Sequence, residues 1–339
     1  MSDNNPDSSQ THNLIMSASI VFILAYVCLI WLLGPRLSEV PHLPDQGAGW
    51  YFWKLSEPTM WGRITAWGGY LLHQLANFLI IYRAQQLSVR PVESGGIRYS
   101  NQPHLLNLIA LVVNAVFVIL HLIQTHLWYD GLAQDTHVFS SLVSVAVLLI
   151  WVLLMETPRR GLFFGVKVPI QTEVLSFAKK YHGYYFSWAI IYTFWFHPTE
   201  ATPGHLWGFF YLLLIILQGC LFFTRIHTNR YWTLILEVLV LIHAVVVARL
   251  QGSGIWPMFA FGFGSIFVIT QMHGLGWSRM KRGVILVFYL TALLLVYRER
   301  GFSKVNEVLR IPVIDYLGVL SLTVLFWGWL RLLRTMKQQ

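Results

Sequence analysis

The chain has 339 residues, is 56% hydrophobic and only 12% charged, and has a mean hydropathy of +0.56, which excludes an ordinary soluble domain. Its net charge of +9 does not point to nucleic acid, because the basic residues form short clusters between apolar runs, as membrane orientation requires. Cys28 and Cys220 both lie inside apolar runs and make neither a disulfide framework nor a zinc motif.

Residues 1–12 are polar and acidic and lack the basic stretch of a cleavable leader, so a disordered cytoplasmic tail followed by an uncleaved first span is expected. A bilayer core about 30 Å thick takes roughly 20 apolar residues in a helix. Runs of that size recur at 13–34, 64–82, 104–126, 137–155, 181–197, 205–224, 232–250, 256–274, 283–297 and 313–334. The fold class read from them is an all-α, polytopic integral membrane bundle of about ten helices, with 13–339 as a single transmembrane domain. The 15 Trp, 15 Tyr and 22 Phe suit aromatic belts at the two interfaces.

Ten crossings put both termini on one side. Placing that side in the cytoplasm gives it 16 of the 24 Lys and Arg, the bias expected of cytoplasmic loops. The turns 127–136 and 198–204 contain no Lys or Arg and then face the opposite side. The connection 156–180 is expected as a loop along the membrane surface.

The spans differ in polarity. Spans 1, 9 and 10 carry almost no strongly polar residue in mid-membrane and are expected to face lipid. Span 2 places Tyr70, His73 and Asn77 on one helical face beside Gln74, and span 3 places Asn107, Asn114 and His121 at intervals of seven, continued by Gln124. Such stripes are costly against lipid and are expected to face protein or a wet cavity. Span 7 carries Glu237, for which an ion pair with Arg230 or Arg225 competes with a proton relay. The aromatic face Tyr185, Trp188, Tyr192 and Trp195 of span 5 reads as packing ahead of a lipid or quinone groove.

Chemistry concentrates at two hairpins. The first carries His121, His126, Asp130, Asp135 and His137, the second His197, Glu200 and His205. At 1.5 Å per residue, His73, His121 and His243 lie roughly 13, 8 and 10 Å in from the outer ends of their spans. They are therefore candidate ligands of one transition metal ion, with Zn, Fe, Mn and Cu all compatible with imidazole and carboxylate donors. His121 and His126 are about 140° apart on a helix and cannot bind one ion together, whereas His126 and Asp130 share a face at i, i+4. His126, Asp130, Asp135, His137, His197, Glu200 and His205 would supply further ligands or a general acid and base. Against this stands a plainer account, in which histidines sit at the interface and Asp135 or His137 caps span 4.

The function expected on these grounds is a membrane-embedded, metal-dependent enzyme acting on a lipid-like or small apolar substrate. A transporter or channel for protons or metal ions is the alternative, although no internal repeat supports it. Histidines at matching depth also allow a haem b electron carrier. No Ser-His-Asp order, no His-Glu-x-x-His and no histidine box of the membrane desaturases is present.

Overall fold

The computed structural model describes residues 6–44, 46, 51, 53–252 and 254–338. Ten α-helices follow in order: α1 Pro6–Leu33, α2 Met60–Ser88, α3 Leu105–Trp128, α4 Val138–Arg160, α5 Thr172–Phe196, α6 Pro203–Cys220, α7 Arg230–Leu250, α8 Trp256–Ile269, α9 Arg279–Arg300 and α10 Arg310–Gln338. No β-strand occurs among the described residues. Helices α1, α3, α4, α6, α7, α9 and α10 are long and apolar enough to cross a membrane, whereas α8 has only 14 residues. The protein is an all-α integral membrane protein. Of the tail expected over 1–12, residues 1–5 lie outside the described residues, and from Pro6 the backbone is helical.

Helices α2 and α5 have 29 and 25 residues and are not among the seven, and for α2 the reason is visible in its packing. Leu71, Leu72, Leu75 and Leu79 of α2 are exposed, while Tyr70, His73 and Gln74 are buried. Polar groups face protein and leucines face outward, the arrangement a helix needs when its solvent is hydrocarbon. Local signals set the helix ends. Thr59 accepts a hydrogen bond from the Gly62 N–H and Thr202 from the His205 N–H, at 3.0 and 3.3 Å, as N-caps of α2 and α6.

The chain divides into two compact units, one comprising 1–145 and 183–236, the other 146–182 and 237–339. In the first, α2 packs along α3, and α1 and α3 pack on α6. Gly69 allows a close approach: a Cβ there would run into the Trp195 ring. The stripe Asn107, Asn114 and His121 is buried throughout. Asn107 Nδ2 donates to the Cys220 and Phe222 carbonyls at 2.7 and 2.9 Å, tying α3 to the end of α6.

In the second unit α8 packs on α9, α10 and the 3-10 segment Phe302–Leu309. Val284, Val287 and Phe288 of α9 and Ile314, Leu317 and Leu320 of α10 are exposed, as expected for spans 9 and 10. The expected surface loop 156–180 is mostly helical. Helix α4 runs on through Pro158 to Arg160 and α5 starts at Thr172, because Arg160 is needed inside. Its Nη1 and Nη2 donate to the two Glu237 oxygens at 2.6 and 2.5 Å, with both side chains buried. Glu237 is thus ion-paired as the sequence suggests, with Arg160 in place of Arg225 or Arg230.

Candidate functional site

Trp195 organises the deep half of the first unit. Its Nε1–H donates to His73 Nδ1 at 3.1 Å, and its ring lies 4.4 Å, centroid to centroid, from that of His121. His73 Nε2 in turn meets Asn114 Oδ1 at 2.9 Å, and the imidazole stacks on Phe117 at 4.5 Å. Because the indole must donate to Nδ1, His73 carries its proton on Nε2 and is neutral. Asn114 fits this assignment: its Nδ2 donates to Asn77 Oδ1 and the Ala110 carbonyl, which leaves Oδ1 to accept.

His121 Nε2 donates to the His197 carbonyl at 2.8 Å, leaving Nδ1 buried with no hydrogen-bond partner. The deep layer is therefore connected to the rim through the backbone of the α5–α6 turn. His243, expected at the same depth, belongs to the second unit, where its Nδ1 is also buried without a partner.

At the rim, two chains of hydrogen bonds start from residues in the segment between α1 and α2. His42 Nε2 lies 2.6 Å from the Tyr129 hydroxyl, which donates to Glu200 Oε1 at 2.5 Å. The Tyr51 hydroxyl sits between His197 Nδ1 at 2.9 Å and His205 Nε2 at 3.0 Å, and His205 Nδ1 lies 2.7 Å from Thr202 Oγ1. Trp53 packs edge-on against both His42 and His205, with ring centroids 5.2 and 5.3 Å away. The segment reaches the rim through backbone pairing of its own, with the Leu43 N–H donating to the Lys54 carbonyl at 2.9 Å.

The electrostatics follow from burial. Desolvation raises the Glu200 carboxyl above the usual range, partly offset by the Tyr129 hydroxyl, and lowers the His42 imidazole. Burial and the nearby Glu200 charge push both the Tyr51 and Tyr129 phenols far up. With Glu200 ionised, Tyr129 donates to it and accepts from a His42 Nε2–H. Protonating Glu200 reverses both bonds and moves the His42 proton to Nδ1. The second chain likewise has two closed settings: protons run from His197 through Tyr51 and His205 to Thr202, or all three bonds reverse.

Tyr129 marks where the sequence reading of the first hairpin needs correction. Helix α3 ends at Trp128, and Tyr129 adopts φ +40°, ψ 76°, a left-handed conformation that is unfavourable for a residue with a Cβ. The chain reverses there, so Asp130 leaves the helix and does not share a face with His126. Asp130 Oδ1 accepts from Arg63 Nη1 at 2.9 Å and from the Gly131 N–H at 2.7 Å. His126 Nε2 is instead buried with no hydrogen-bond partner.

Asp135 also pairs with Arg63 and accepts from Trp67 Nε1 at 2.7 Å. His137 is exposed and its Nδ1 accepts from the Phe139 N–H at 3.2 Å, a helix cap for α4. Of the residues singled out in the sequence, the fold thus gathers His197, Glu200 and His205 into one rim network. It directs Asp130 and Asp135 to Arg63 and leaves His137 as a cap.

His42, Tyr51, Trp53, Arg63 and Tyr129 complete the site and were not singled out in the sequence. His42 and Tyr51 lie in an irregular segment with no helical period to assign them a face. The one available signal is that Pro41-His42 and Trp50-Tyr51-Phe52-Trp53 put an imidazole and four consecutive aromatics into a loop otherwise free of them.

The metal and haem sites expected from the sequence do not match this packing. Both ring nitrogens of His73 are engaged. Among the described residues no three His, Cys, Asp or Glu side chains converge to hold a metal ion. The Trp195 indole also fills the space between His73 and His121 where a macrocycle would have to lie. The chain matches no protein family, no curated protein and no solved structure with which it was compared.

Proposed function

We propose that the protein is a membrane-embedded enzyme that performs acid–base chemistry on a lipid-like or small apolar substrate at the rim of the first unit. The observation that carries this reading is the Tyr51 hydroxyl held between two imidazoles, next to a buried carboxyl whose proton affinity is raised. Imidazoles exchange protons near neutral pH, and burial moves the Glu200 carboxyl upward from the usual carboxylate range. In this reading Glu200 and His42, linked through Tyr129, act as one proton-exchanging pair, and His205 and His197, linked through Tyr51, as the other. Exposed leucines on neighbouring α2 leave the site within reach of molecules dissolved in the bilayer. The basic residues favour both termini in the cytoplasm, which would open the rim to the opposite side.

A proton pathway is the second reading, favoured by the reversibility of the Thr202–His205–Tyr51–His197 chain. One comparison separates the two. Membranes containing the wild-type protein or Glu200→Gln are compared for lipid composition, and both proteins are reconstituted in vesicles with an internal pH dye. The enzyme reading expects a lipid species that changes with the wild type and not with the variant, and no proton flux. Flux without any lipid change would replace it with the pathway.

A further inference from the structure

The second unit contains a cavity of about 240 Å³ lined by aliphatic and aromatic side chains of α4, α7 and α8, with three polar residues in its wall, Glu237, Gln271 and Asp315. Two of these differ sharply. Glu237 is neutralised by the bidentate pair with Arg160. Asp315 is 6% exposed and has no ion pair or hydrogen bond among the described residues.

The geometry points to this cavity as the binding site of a short lipophilic amine, with its ammonium group on Asp315 and its hydrocarbon against the apolar wall. A carboxylate withdrawn from water and left alone costs several kcal/mol, so the fold would gain by removing it unless something completes it. Because Arg160 cancels Glu237, Asp315 is the one uncompensated charge in the wall, and the ligand should be a cation. An ammonium group brings that charge and three donors for the Asp315 oxygens, and Gln271 adds a further amide acceptor to the same wall. An anion would face Asp315 directly, and a plain hydrocarbon would leave it unpaired. The volume is below the roughly 300–1,000 Å³ of pockets for drug-sized ligands, which limits the occupant to a short chain.

The test uses the full chain in lipid nanodiscs and three probes of matched length, octylamine, 1-octanol and octanoate. Octylamine is expected to raise the Tm of the wild type, with 1-octanol and octanoate having little effect. In Asp315→Asn the octylamine shift should disappear, with apparent affinity down at least tenfold, while Glu200→Gln keeps it. The variant also controls for amine partitioning into the lipid. If Asp315→Asn does not fold, Val152→Phe keeps the carboxylate but narrows the cavity, and should lose the shift as well. An equal shift with 1-octanol, or an octylamine shift that survives in a folded Asp315→Asn or Val152→Phe, overturns the assignment.

Discussion

At the rim of the first unit His42, Tyr129, Glu200, Tyr51, His197 and His205 are each hydrogen-bonded, whereas Asp315 in the second unit faces a cavity with no partner. Both regions place ionisable groups inside a membrane protein, where an unsatisfied polar group is costly. The rim meets that cost internally, and its bonds can be reversed without breaking the network. The second unit meets it through Arg160 with Glu237 and through Arg300 and Tyr297 with Glu307, and leaves it unmet at Asp315. A closed network suits groups that exchange protons among themselves, and an open valence suits a molecule that arrives from outside.

The largest expected effect breaks the most deeply buried ion pair of the second unit, Arg160 with Glu237. Arg160→Met leaves Glu237 buried and alone and should cost about 3–5 kcal/mol, read as a drop in Tm in detergent. The double variant Arg160→Met with Glu237→Met should recover most of that loss, since well-packed apolar residues often replace a buried pair without penalty. A double variant as unstable as the single one would show that the pair contributes more than mutual neutralisation.

A smaller effect is expected where α2 meets the Trp195 ring. Gly69→Ala places a methyl group within the Trp195 ring and should cost about 1–3 kcal/mol through overpacking. Displacing the indole also breaks its bond to His73, so tryptophan emission should shift along with the Tm. Unchanged emission and stability would mean that α2 and α5 can separate freely.

The smallest effect concerns pH. Burial raises the Glu200 pKa in the folded protein, so its favourable contribution is complete below the unfolded carboxyl value and is lost as pH rises through the folded value. Measured from about pH 4 upward, the wild-type Tm should therefore fall relative to that of Glu200→Gln. Asp130, whose carboxyl burial also raises, is present in both proteins and cancels in the difference. A difference independent of pH would show that Glu200 titrates as it does in the unfolded chain.

Much of the fold was legible because membrane helices announce themselves locally. A run of about 20 apolar residues is a property of the sequence alone, and seven helices satisfy it. Even the polar face of α2 was legible, since Tyr70, His73 and Asn77 repeat with the helical period. The site was legible only in part. His197, Glu200 and His205 follow one another within a single turn, so their proximity is encoded by short separation. His42 and Tyr51 reach Glu200 and His205 across 158 and 154 residues, from a segment whose lack of period conceals its direction. Asp315 was missed for another reason: one carboxyl near the start of an otherwise apolar span reads as an interfacial residue until the cavity beside it is seen.

The sequence by itself determined that this is an all-α membrane protein and which helix faces turn away from lipid, because both follow from hydropathy and periodicity along a continuous stretch. Only the tertiary structure decided which groups meet: that Arg160 neutralises Glu237, that Trp195 separates the two deep imidazoles, and that Tyr129 turns the first hairpin towards Glu200. Those choices depend on distances between segments far apart in the chain and on one left-handed residue, and neither leaves a pattern that spacing can reveal.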